Sequence, residues 1–188
     1  AMIEACRRDK VPALDRVVVA VDPAVGTGRE GDECGIVVAG VQSQGEAHGW
    51  RGWVLEDASV HGGPTEWARA AVAAFHRHGA ERLVAEVNQG GALVEQLIRQ
   101  VDPLIPFTAL HAGRGKGLRA EPVAALYEQG KVSHARGLGA LEDQMAQMTL
   151  AGFQGQGSPD RVDALVWALH ELMIAPAMEL VRPGLRVL

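Results

Sequence analysis

The sequence predicts an α/β domain in which a mixed sheet of five strands is flanked by helices. Three observations carry this prediction. Short β-branched runs recur at residues 16–22, 34–41, 52–60, 82–87 and 105–110. Tight turns join the first three, as in an antiparallel meander, whereas helix and strand alternate from residue 60 onward, which requires parallel crossovers. The length of 188 residues, with 47% hydrophobic and 22% charged residues, suits one core that buries about 70% of the unfolded chain's surface without disulfides.

Taken in order, residues 1–15 carry Arg7, Arg8, Asp9 and Lys10 without a clear period and read as a linker. Residues 16–22 (RVVVAVD) form a buried strand that stops at Asp22 and Pro23. A Gly-rich turn over 26–31 leads to the second strand and then the third. Pro64 opens a helix with Trp67, Ala71, Ala74 and Phe75 on its packing face, and Gly79 closes it. After the strand at 82–87, Leu93, Leu97, Ile98 and Val101 mark the face of a second helix, followed by the strand at 105–110. Helices are expected over 119–129, 138–148 and 160–174, with a short strand around 131–134 and a tail over 176–188.

Composition excludes several classes. The 18 basic and 23 acidic residues give a net charge of −5, so the chain is no polycation that coats nucleic acid. Cys6 and Cys34 are too few for a metal cluster or a disulfide framework. The apolar run 17–21 is far shorter than a membrane span and no charged leader precedes it, so a membrane role is not expected and the chain reads as cytosolic. Gly115, Lys116 and Gly117 lack the spacing of a phosphate-binding loop, because position 110 is Leu.

The chemistry lies in acids placed where packing alone would not put them. Asp22 ends the first strand, and Glu86 interrupts an apolar strand near its C-terminal end, where a buried carboxylate is costly unless a cation meets it. If these strands are parallel neighbours, the two acids meet at the end of the sheet where ligands gather. Asp160 and Asp163 are three residues apart and share a face at the start of the last helix, while Val162, Leu165, Val166 and Leu169 form its packing face. Helix capping explains Asp160 well and Asp163 less well. Clustered hard oxygen donors select Mg²⁺ or Mn²⁺.

In order, VAVDPA (19–24), GDECGIVVAG (31–40), VAEVNQGG (84–91), KGLRAEPVAALYEQGKVSH (116–134) and SPDRVDALVWAL (158–169) resemble the C-terminal nuclease domain of the large terminase subunit of tailed bacteriophages and gene-transfer particles. The resemblance spans residues 16 to about 174 and implies an RNase H-like fold. It also implies an endonuclease that cuts concatemeric double-stranded DNA during packaging, with Asp22, Glu86 and Asp163 as catalytic metal ligands. Asp160 would be an auxiliary ligand, and Asp32 would shape the hairpin before the second strand. Two Mg²⁺ or Mn²⁺ ions would activate an in-line water and stabilise the leaving oxygen. The implied partners are an N-terminal ATPase domain of the same polypeptide, the small terminase subunit and the portal, in the cytoplasm of the bacterial host.

Residues 111–136 hold five basic residues against two acidic ones, a local charge of +3. Arg114, Lys116 and Arg119 are the candidate DNA contacts, suited to phosphates rather than bases. Nothing resembles a zinc finger or a stacking strand, so cutting is expected to be weakly sequence-specific. Trp50, Trp53, Trp67 and Trp167 read as packing residues. The same acids would serve a Holliday-junction resolvase or transposase core, and a non-catalytic module docking DNA or a portal would need none of them.

Overall fold

The computed structural model describes residues 2–23, 33–87, 91–111, 117–149 and 151–181. Its centre is a seven-stranded sheet in the order β6-β5-β1-β2-β3-β7, with β4 paired to β2. The strands are β1 (Arg16–Asp22), β2 (Glu33–Gln42), β3 (Arg51–Asp57), β4 (Val60–His61), β5 (Arg82–Glu86), β6 (Phe107–Leu110) and β7 (Val132–His134). β1, β2 and β3 pair antiparallel, as a meander requires, whereas β5 joins β1, β6 joins β5 and β7 joins β3 in parallel. The five expected strands are all present. The count rises to seven because the third expected strand breaks into β3 and β4, and because the short strand expected around 131–134 joins the same sheet as β7 and completes its edge.

The helices are α1 (Met2–Cys6), α2 (Pro64–His78), α3 (Gly91–Val101), α4 (Gly117–Glu128), α5 (Gly139–Ala146), α6 (Asp160–Leu169) and α7 (Ala175–Val181). A hairpin of β8 (Met148–Thr149) and β9 (Gly152–Phe153) follows α5. Both faces of the sheet are covered, which is why its central strands are apolar throughout instead of alternating with polar residues. Val18, Ala20, Val37, Ala39 and Val84 pack under α6 and α4, while Val19, Val21, Ile36, Val38 and Leu83 pack under α2 and α3.

α2 starts with Pro64 at its first turn and a Glu66 side chain that accepts from the Gly63 N–H at 2.8 Å; it ends at Gly79, whose φ of 57° is the left-handed cap that glycine accepts without strain. In α3 the buried stripe is Val94 and Ile98, while Leu93 and Val101 are exposed. The expected face is therefore rotated, since consecutive apolar residues leave the helix phase undecided. The last long helix passes through a wide turn at His170–Ile174, closed by the Ala175 N–H on the His170 carbonyl, before α7.

Residues 2–8, where no period was legible, dock on the β7 edge. Cys6 is buried, and the Arg8 N–H donates to the His134 carbonyl at 2.8 Å. With them comes a polar chain that runs from exposed Arg7 to the buried Glu142, His134 and Tyr127. Arg7 Nε donates to Glu142 Oε2 at 2.9 Å, His134 Nδ1 meets Glu142 Oε1 at 3.0 Å, and Tyr127 Oη meets His134 Nε2 at 2.7 Å. Both cysteines are buried free thiols. Among the described residues no helix is long and apolar enough to cross a membrane.

Candidate metal centre at the strand ends

The parallel pairing of β1 with β5 sets the site. Val21 lies beside Ala85 in the register, so the next residues along the two strands, Asp22 and Glu86, end neighbouring strands at the same level. Both are 8% exposed, and a carboxylate is rarely buried that far unless a partner compensates it.

On its other side Asp22 pairs with Gly35 of β2. That glycine brings in the third element, because a Cβ there would overlap the Asp160 carbonyl where α6 begins. Only a residue without a side chain lets the helix start lie this close to the sheet. Arg161 fixes the same turn from outside, pairing with Asp57 at 2.5 Å and with Glu33. The Val162 N–H is met by Gln144 Oε1 of α5 at 3.0 Å, and the helix-start residue Pro159 offers no side-chain cap. The helix end is thus satisfied by a neighbour, and its first-turn acids face the sheet.

Asp22, Asp160 and Asp163 consequently come together, each offering a carboxylate oxygen with all three atoms within 4.8 Å of one another. At an effective dielectric of about 20, two unit charges at that spacing repel by roughly 3 kcal/mol before solvent screening. An all-oxygen anionic set of this kind fits a hard divalent cation. Asp160, expected to be auxiliary, stands in the cluster on equal terms with Asp22 and Asp163.

Glu86 lies outside this three-acid group. Its Oε2 accepts a hydrogen bond from the indole Nε1 of Trp167 at 3.2 Å, and its strand neighbour Arg82 pairs instead with Glu171 at 3.5 Å. Trp167 is buried, as are Trp50, Trp53 and Trp67, so all four match the packing expectation. The polar contact of Trp167 was not legible. The one signal for it is spacing, since Trp167 lies four residues beyond Asp163 and so on the same helix face. Asp32, Arg114 and Lys116 lie outside the described residues, as does the side chain of Arg119.

A mixed sheet whose central parallel strands end in acids, with further acids brought over them by the last helix, defines an RNase H-like α/β domain with a carboxylate-lined site. The chain belongs to the terminase RNaseH-like domain family, whose model matches residues 19–172. A comparison with curated proteins finds no match.

Among solved structures, the nuclease domain of the P22 large terminase is similar with a TM-score of 0.64 at 11% identity, over 96% of this chain and 94% of that one. The large terminase nuclease of thermophilic phage G20c with bound magnesium gives 0.58 at 17% identity, over 87% and 85%. The large terminase of another thermophilic bacteriophage, in complex with ADP, gives 0.63 at 10% identity. This chain covers 43% of that protein's length.

Proposed function

We propose that this domain is a divalent-metal-dependent endodeoxyribonuclease that cuts concatemeric double-stranded DNA during genome packaging, with weak sequence specificity. The observation that carries the reading is the convergence of Asp22, Asp160 and Asp163 at the end of a parallel strand pair, in a chain of the terminase RNaseH-like family. Asp22, Glu86 and Asp163 would be the catalytic metal ligands, joined by Asp160.

When bound, Mg²⁺ or Mn²⁺ supplies Lewis acidity, lowering the pKa of a coordinated water and neutralising charge on the leaving oxygen. The four carboxylates would hold the cations, anchored on rigid elements, two on strand ends and two on one helix turn. Arg114, Lys116 and Arg119 would follow the phosphate backbone, giving contacts that position DNA without reading bases. The likeness to a magnesium-bound terminase nuclease supports the choice of metal. The partial coverage of an ADP-bound large terminase supports an ATPase domain joined through residues 1–15. The small terminase subunit and the portal complete the proposed assembly, in the cytoplasm of the bacterial host.

The test is plasmid cleavage in Mg²⁺ or Mn²⁺ by the intact chain and by Asp22→Ala, Glu86→Ala and Asp163→Ala. Each substitution is expected to lower the rate by more than about 100-fold, beyond the usual cost of losing an outer-sphere partner. Undiminished cutting by any two variants would overturn the assignment.

A further inference from the structure

We infer that Trp167 is a positioning residue that holds the Glu86 carboxylate in the orientation needed to join the α6 acids around a divalent cation. The inference rests on the metal reading above and adds a residue to it. Three features of the structure argue for it.

The first is placement. Asp160, Asp163 and Trp167 fall at intervals of three and four along α6, so one helix face carries both acids and, one turn further on, the indole that reaches Glu86. The second is an internal contrast. Trp53 is also buried, and its Nε1 has no hydrogen-bond partner among the described residues. Packing alone therefore suffices to hold a buried indole in this fold. The Trp167 N–H, a donor that cannot accept, is instead directed at a carboxylate.

The third is the chemistry of glutamate. Its carboxylate stands one methylene and one torsion further from the backbone than that of Asp22, so it has more orientations to lose before it can act as a ligand. A hydrogen bond taken at Oε2 fixes the plane of the carboxylate and hence the direction in which Oε1 is presented. Because the donor sits on α6, the β5 acid and the α6 acids are locked into one unit. Outer partners of this kind orient metal ligands in many sites.

The experiment measures Mn²⁺ affinity of the full 188-residue chain by electron paramagnetic resonance, with thermal melts to check folding. Trp167→Phe, which keeps an aromatic ring and removes the N–H, is expected to weaken Mn²⁺ binding by about 10- to 100-fold. Trp53→Phe is expected to leave it unchanged. In a Glu86→Gln background, Trp167→Phe is expected to add nothing further. Equal affinity for Trp167→Phe and the unmodified chain, or the same loss with and without Glu86, would overturn the inference while leaving the metal reading standing. Absence of Mn²⁺ binding by the unmodified chain would instead overturn the metal reading beneath it.

Should Trp167→Phe fail to fold, the unmodified protein carries the test through its indole N–H resonances during a Mg²⁺ titration. The Trp167 signal is expected to shift and the Trp53 signal to stay. A stationary Trp167 signal at saturating Mg²⁺ would overturn the inference.

Discussion

Two polar clusters lie at different places on this sheet, and they are built in opposite ways. On the β7 edge, Glu142 is met by the guanidinium of Arg7 and the imidazole of His134, which in turn meets Tyr127. Opposite charge and matched donors leave that cluster satisfied from within. Beyond the ends of β1 and β5, three aspartates face one another within 4.8 Å. Clustering of like charges at close range is commoner at functional sites than in purely structural ones. The first cluster pairs opposite partners, whereas the second gathers like charges, the arrangement on which the proposed metal site rests.

The sharpest way to break this contrast is Glu142→Ala. It strips His134 Nδ1 of its partner in a position with 0% exposure, and a buried donor left unsatisfied costs about 1–3 kcal/mol. In a chain of this size that lowers Tm by several degrees, readable by calorimetry. Asp163→Asn is expected to lower Tm less than Glu142→Ala does when chelator is present, because Asp163 is only half-buried. A fall as large as that of Glu142→Ala would mean that the fold depends on this acid as it does on Glu142.

The smallest effect expected is one of pH. Burial pushes the His134 imidazole below its ordinary 6.5, outweighing the pull of Glu142. Burial also raises the Glu142 carboxyl, but its bonds to Arg7 and His134 outweigh this and hold it below its ordinary 4.5. An ionised Glu142 only accepts, so Nδ1 carries the proton and Nε2 accepts from the tyrosine hydroxyl, whose own pKa burial drives well above 10.0. For His134 the unfolded chain takes up a proton first as pH falls below 6.5, and stability drops with it. Glu142 adds a further loss below its own range. Urea unfolding between pH 7 and 5 is expected to show a declining midpoint, with a flatter slope in His134→Gln.

The positions of the clustered acids were largely legible and the Glu142 cluster was not, for the same physical reason. Asp22 and Glu86 break apolar runs that have no use for charge, and Asp160 and Asp163 follow one another at helical spacing, so each stands out from its local pattern. Tyr127, His134 and Glu142 lie on three separate elements and Arg7 just beyond α1, all in unremarkable polar positions, and tertiary packing alone relates them. The Trp167 contact was hidden for a third reason, since an indole within an amphipathic helix is already explained by burial. In α3, neighbouring apolar residues allowed two helix phases, and the structure selects Val94 over Leu93.

The acids of the site come from β1, β5 and α6, so the unfolded chain offers no assembled ligand set. A divalent ion that binds this arrangement and not the open chain works as a fastener: at a concentration 100 times its Kd it would add about 2.7 kcal/mol to the stability of the domain. The helix that completes the site would be held to the sheet by the ion as well as by its apolar face. Magnesium supply would then govern how firmly the domain is closed.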